Sequence, residues 1–375
     1  MTELLKGVRV LDLSRVLAGP LCGMMLGDLG ADVIKVERPG SGDESRGWGP
    51  PFTADGQSAY YLCANRNKLD IALDLNLAAD RSVLEDLVAG ADVVLENFPT
   101  RASSNRLVDV DALLNRHRRL IWLTITGFGA ESMRPGYDIV VQAECGWMSI
   151  TGEPAGEPMK VGVALADVIA GKDAALSIVS ALWRRDRSPA DLPRDKRRIF
   201  ISLADSAVAA LVNVAQNVLV SNSDATRYGN AHPNLVPYQA FRASDGYMVI
   251  AVGNDSQWLR CCEALEVTAL GGDPTFATNA GRLARRDVIV SAIARRVAQL
   301  PVAVWMEKLA VVNVPCGRVR TVREALSDGQ HSAVTGIAPA IPGTVRLPPP
   351  QLDEHGLLIR QLGWGAFATL PGPKV

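Results

Sequence analysis

The sequence predicts an α/β protein: a doubly wound parallel sheet in a large domain, with a smaller α+β domain attached. Short apolar, β-branched runs alternate with helix-like segments through about the first 130 residues, the pattern of strand–helix–strand units. Past residue 225 that rhythm gives way to a hairpin signal followed by helices. The 375 residues suffice for two or three domains at roughly 150 residues each.

The elements follow in order. Val8–Leu13, Val33–Val36, Ile71–Leu75, Val93–Leu95 and Leu120–Thr126 are apolar on both faces, as buried parallel strands are. Between them, Pro20–Leu29 closes at Gly30, and Ala78–Ala89 sets Leu84, Leu87 and Val88 on one face before Gly90. Val110–Arg118 carries Leu113 and Leu114. Glycine after an apolar periodic run is a helix stop. PGSGDESRGWGPP, within 39–67, reads as a long loop of the kind that carries function. Residues 127–162 are again loop-rich. LADVIAGKDAALSIVSALWRR (165–185) is the strongest helix, with a basic end that suits its C-terminus. RRDRSPADLPRDKRR reads as a solvated excursion, and 199–215 resumes an apolar pattern. Residues 236–252 form a hairpin around Ser244-Asp245-Gly246. The tail is long enough to return to the first domain. The expected boundaries are 1–224 with 326–375 for the large domain and 225–325 for the small one.

Composition excludes several classes. Apolar residues make up 48% and charged residues 21%, so the chain is neither disordered nor fibrous. A net charge of −1 supplies no global field for nucleic acid or an anionic membrane. No run of about 18 apolar residues exists for a span, and the N-terminus lacks a signal-peptide core. The six cysteines avoid CxxC spacing, which argues against a disulfide framework or zinc site and for a reducing cytoplasm. After the first strand only Gly19 and Gly23 are available, short of a dinucleotide fingerprint. There is no P-loop, no GxSxG and no paired histidine among His117, His232, His331 and His355. Carboxylate chemistry remains. Asp167 is a lone charge among small apolar neighbours at a helix start. Helix N–H groups would keep it ionised, either as a cap or as a reactive group. Asp138, Glu144 and Asp173 compete with it.

Several strings together resemble the family III CoA-transferases, the group of formyl-CoA:oxalate and carnitine CoA-transferases. They include LDLSRVLAGP (11–20), GDLGADVIKVERPGSGD (27–43), RGWGPP (46–51), NRNKLDIALDL (65–75), ADVVLENF (91–98), ITGFG (125–129), PGYD (135–138), GVALADVIAG (162–171), LADS (203–206), VPYQAF (236–241) and VPCGRV (314–319). The resemblance runs in order from about residue 5 to 362. It implies a Rossmann-like large domain built from both chain ends, a small middle domain, and an interlocked homodimer. It also implies the chemistry. An Asp carboxylate attacks an acyl-CoA thioester to give a mixed anhydride, CoA thiolate converts this to an aspartyl-CoA thioester, and an acceptor acid then takes the CoA. That Asp is carried onto Asp167.

The same resemblance implies CoA contacts. Val16 and Leu17 lie near the thiol end, Arg38 meets the nucleotide phosphates, and Leu73 lines the adenine pocket. Asn97 and Phe98 touch the pantetheine–nucleotide region. Arg106 matches a further phosphate contact, with Arg101 as the alternative. Trp48, Tyr137 and His232 are the substrate-positioning candidates. CoA enters as a substrate, with no tightly bound cofactor and no metal. Departures from the pattern bear on specificity. Asn76 stands where many members have Lys, Leu17 where the oxalate enzyme has Gln, and YGNAHPNLVPY (228–238) where that enzyme has a glycine-rich loop. Acyl-CoA racemases of this fold have a His where this chain has Tyr137, a poor base at neutral pH. A non-catalytic CoA-binding protein is the other alternative. The strings look closest to the succinyl-CoA:dicarboxylate type, for which Arg15, Arg46, Lys160 and His232 are candidate partners of a second carboxylate.

Overall fold

The computed structural model describes residues 3–98, 108–329, 331–332 and 334–370. The chain divides into two compact units. The first comprises Met1–Trp147, Val161–Asn222 and Gln330–Val375; the second comprises Met148–Lys160 and Ser223–Gly329.

The first unit is built on β1 (Arg9–Asp12), β2 (Asp32–Glu37), β3 (Lys68–Ala72), β4 (Val93–Glu96), β5 (Ile121–Thr126) and β6 (Arg198–Ser202). All pair in parallel, in the order β3-β2-β1-β4-β5-β6. The strand order reverses between β1 and β4, and sheets of this kind hold ligands beyond the strand C-termini at such a point. Side chains alternate between two cores. Val10, Val33, Val93, Leu95, Ile121 and Leu123 face one side with Leu26, Ala166, Ala170, Ala174 and Ile178. Leu11, Ile34, Leu69, Ile71, Val94 and Trp122 face the other with Leu84, Leu87, Leu114, Ile359 and Trp364.

Two helices matter most for the first face. Helix α1 (Ala18–Asp28) begins two residues earlier than the sequence suggests. Pro20 is tolerated because the first turn needs no N–H there. Helix α2 spans Leu165–Arg187. Its buried Ala166, Ala170, Ala174, Ile178 and Leu182 recur every fourth residue, a stripe along one face. Asp167 lies in its first turn, while Arg184, Arg185 and Arg187 lie in its last, charges that complement the helix dipole. Gly171 brings the two helices close: a Cβ there would stand 2.6 Å from the Ala18 carbonyl oxygen.

The tail packs on the opposite face. The Asp353 N–H donates to Asp70 Oδ1 (2.7 Å), and the Ala72 N–H donates back to Asp353 Oδ1 (2.8 Å). Trp364 Nε1 donates to the Leu87 carbonyl at 2.9 Å.

The second unit holds an antiparallel sheet of β7 (Tyr238–Arg242), β8 (Tyr247–Ala251) and β9 (Cys316–Arg318). The hairpin matches its sequence signal. β9 has no such signal, because three residues around a glycine become a strand only by pairing with a distant one. The segment Met148–Lys160, expected with the large domain, groups with this second unit. Arg227 binds it there, donating to the carbonyls of Ser149, Glu153 and Gly156 (3.4, 3.1 and 2.6 Å). Among the described residues no single helix is long and apolar enough to cross a membrane.

Trp364→Ala removes a buried ring and leaves the Leu87 carbonyl unpaired. It should cost about 3–5 kcal/mol, read as a lower urea midpoint at unchanged slope.

Candidate active site

The loop joining β1 to α1 is the first component. Val16 sits at φ +70°, a left-handed conformation that costs a β-branched residue on the order of 1–3 kcal/mol. Two side chains hold it there. The Val16 N–H donates to both carboxylate oxygens of Asp43 (3.1 and 3.2 Å). Asn97, at the end of β4, accepts from the Arg15 N–H (3.0 Å) and donates to the Arg15 carbonyl (2.8 Å). Leu17, buried at 8% exposure, then starts α1 without a side-chain cap, so first-turn N–H groups remain for a ligand.

The second component is a cavity of about 800 Å³ beyond the C-terminal ends of the strands. Its lining includes Arg15, Arg38, Leu73, Asn76 and Phe98. Arg38 is exposed, and among the described residues its guanidinium has no hydrogen bond or ion pair, which leaves the fork open for an anion. Leu73 and Phe98 supply apolar wall. Val16, Leu17 and Asn97 do not line the cavity; they form and brace the loop beside it. Arg101 and Arg106 lie outside the described residues.

The third component is Asp167. Ala164, Ala166, Ala170 and Gly171 surround it with little bulk. Asp138 occupies the capping role at this helix: its Oδ1 accepts the Ala166 N–H (2.9 Å), and its Oδ2 accepts from Gln142 (2.7 Å). Gln142 in turn accepts the Val161 N–H at 2.8 Å. No hydrogen bond or ion pair reaches the Asp167 carboxyl among the described residues. Burial, and next the Asp138 charge, push it up to about 7. This corrects the expectation that helix N–H groups would hold Asp167 firmly ionised. Asp138 takes the nearest free N–H, and loss of water disfavours the charge.

Tyr60 completes the group and had no sequence signal; it stands in a single helical turn, Ala59–Leu62, within the stretch expected to be loop. Burial and then the charges of Asp167, Cys63, Asp138 and Asp43 push its phenol up to about 12, which sets it among the acids of this site. Trp48 packs edge-on against Tyr60, centroids 4.9 Å apart. Tyr137 immediately precedes Asp138 and is 52% exposed. Its loop is drawn in by Gly136, where a Cβ would come within 2.2 Å of Gly127 Cα.

The carboxylate-partner candidates fare differently. Arg46 is consumed: it donates to Glu37 (3.0 and 2.5 Å) and to Tyr61 (2.7 Å). It therefore cannot receive an acceptor acid without breaking a buried pair. Arg15 pairs with Glu44 at 2.5 Å. Lys160 and His232 belong to the second unit. There His232 packs on Tyr238 (5.1 Å) and accepts the Asn234 N–H through Nδ1. Burial and Arg286 lower its pKa. Among the described residues no cluster of His, Cys, Asp or Glu could hold a metal ion.

The sequence profile of CoA-transferase family III matches residues 5–355. The chain belongs to that family. It is 40% identical over 337 residues to a succinate–glutarate CoA-transferase of Agrobacterium fabrum, covering 88% of this chain and 83% of the relative. It is 38% identical over 378 residues to the succinyl-CoA:glutarate CoA-transferase of Mus musculus, covering 94% and 84%. A crystal structure of a CaiB/BaiF family protein from Brucella suis superposes with a TM-score of 0.80 at 38% identity, covering 95% of this chain and 98% of that one. This family III CoA-transferase thus acts on a CoA thioester and a carboxylic acid.

The raised pKa of Asp167 gives a sign to its pH dependence. If the ionised form attacks, kcat/KM for the CoA ester rises with pH and reaches half its plateau near pH 7 in the free enzyme. Burying the charge destabilises the fold increasingly between about pH 4 and 7. Asp167→Asn should therefore raise the melting temperature more at pH 8 than at pH 5, checked by calorimetry at both.

Proposed function

We propose that the chain moves CoA from a succinyl-CoA-type donor to a dicarboxylic acid acceptor, with Asp167 as the nucleophile. The carrying observation is the Asp167 carboxyl, half-buried, raised in pKa by burial, without a hydrogen bond among the described residues, and flanked along the chain by small residues. A carboxylate with a raised pKa is the more nucleophilic for it, and its shielding protects an anhydride from water. The donor class rests on relatives whose names specify succinyl-CoA or succinate with glutarate.

In this mechanism Asp167 attacks the thioester carbonyl, the C–S bond breaks, and CoA thiolate leaves an acyl-aspartyl anhydride. The thiolate attacks the aspartyl carbonyl, releasing the donor acid and forming an aspartyl-CoA thioester. The acceptor carboxylate attacks that thioester, giving a second anhydride and free thiolate. The thiolate finally attacks the acceptor's carbonyl and Asp167 returns as carboxylate. Arg38 meets the nucleotide phosphates, Leu73 and Phe98 flank the nucleotide end, and Val16, Leu17 and Asn97 shape the thiol end. The uncapped start of α1 is placed to favour developing negative charge. Trp48 and Tyr137 position the acids.

We read the working form as an interlocked homodimer, with a location in the cytoplasm supported by free, unpaired cysteines. The dimer's support is the helix Val212–Ser221, which carries Val212, Val214, Val218, Leu219 and Val220 yet has no buried residue. Leu219 and Val220 are 75% and 78% exposed there, a patch that calls for a cover.

The test is incubation with succinyl-CoA and a panel of acids, following CoA esters by mass spectrometry. A new dicarboxyl-CoA ester is expected, and Asp167→Ala should lower kcat on the order of 10⁴-fold. Parental rates in that variant would remove Asp167 from the mechanism, and silence across the panel would favour a CoA-binding protein. By light scattering, the parent should show twice the 40.1 kDa of one chain, and Leu219→Asp should shift it toward one copy. A parent at one copy would refute the dimer.

A further inference from the structure

Asp43 stands in the wall of the cavity, but its carboxylate is turned onto the β1–α1 loop, which it grips as firmly as Asn97 does. Its side chain is fully buried. Besides both bonds from the Val16 N–H, it accepts from Lys35 Nζ (3.0 Å), the Ser45 N–H (3.0 Å) and Ser45 Oγ (2.8 Å). Its own N–H donates to Glu37 Oε2 at 2.5 Å. The Lys35 ammonium, equally buried, also donates to the Ser14 carbonyl at 2.8 Å. The Ser14 N–H donates to Asp12 Oδ1 (2.9 Å), and Lys68 bridges Asp12 Oδ2 to the Pro20 carbonyl (both 2.8 Å). Asn97 grips Arg15 from the far side. Each residue from Ser14 to Val16 is therefore fixed through its backbone by a polar side chain.

Stability alone does not account for this. A buried ion pair gains little over an apolar pair of equal volume, because desolvation offsets the attraction. What the pair provides is geometry: a valine kept at φ +70°, so that the next residues enter α1 with Ala18 against Gly171, one turn beyond Asp167. We propose that Asp43, held by Lys35, is a positioning residue for CoA transfer: by accepting the Val16 N–H it sets where the thioester meets Asp167. This rests on the Asp167 assignment. The Asp43 carboxylate has no exposed surface, so it acts through the loop.

The loop's placement is tested with the ion pair removed as a unit, so that no buried charge is stranded. Asp43→Ala with Lys35→Met deletes the acceptor. A misplacement of the order of an ångström costs about 100-fold, so kcat should fall by about that factor while the calorimetric Kd for free CoA stays within about threefold. Asp43→Asn with Lys35→Met restores an acceptor for Val16 and should recover kcat to within about threefold of the parent. Asp43→Glu keeps both charges but shifts the acceptor by a methylene. It serves where the double variants do not fold, and should lower kcat by about tenfold or more at unchanged CoA affinity. Parental kcat in the Ala/Met or Glu variant overturns the proposal, as does an Asn/Met variant as slow as Ala/Met. Asp167→Ala run alongside separates the two assignments. If it keeps transferring CoA, the nucleophile is wrong. If it is dead while Ala/Met keeps parental kcat, only the positioning role fails.

Discussion

Ionisable side chains buried along one row of a parallel sheet set the geometry of this protein's active end. Asp12, Lys35 and Asp70 are aligned across β1, β2 and β3, on the face that elsewhere carries valines packed under α1. Such groups are tolerated only where every one finds a partner. Here the partners are the loops themselves: the backbone of Ser14, Val16 and Pro20, the Asp43 turn, and through Asp70 the tail at Asp353. Removing one member strands another, so the loops beyond the strands are tied to the sheet more tightly than loops usually are.

The acids around this region separate by environment. Although burial opposes it, the hydrogen bond from Arg46 and that from Asp70 keep Glu37 well below the usual carboxylate range. Burial, and next the neighbouring Glu37, push Asp70 well above the usual carboxylate range. Asp138 is spent on the helix start. Asp167 alone combines burial with the absence of a donor, which leaves a carboxyl that titrates near 7. The same residue type thus serves as anchor, as cap and as a bare carboxyl, and only the surroundings distinguish the roles.

Much of this was legible in the residues. Both-face apolar runs exposed the strands, because a parallel sheet is covered on both sides. The four-residue spacing of alanines and the basic end exposed α2. The ordered strings exposed the family. Tyr60 and Asp43 were not legible, since Tyr60 lies in a single helical turn too short for a periodic signal and Asp43 in a glycine-rich string where acids are ordinary. The sign of the Asp167 shift was also hidden, because it depends on Asp138, 29 positions earlier, taking the N–H that Asp167 could have used. Arg46 looked free as a sequence and proved to be occupied by Glu37.

From sequence alone came the alternation of strands and helices, the family, and an acid set among small residues at the start of a long helix. These are local or ordered along the chain: periodicity, small-residue context, and motifs in register. The tertiary structure alone decided which acid is capped and which is bare, why Val16 bends the wrong way, and where Met148–Lys160 packs. Each of those depends on atoms brought together from distant positions, where burial removes water and a single N–H can satisfy only one partner.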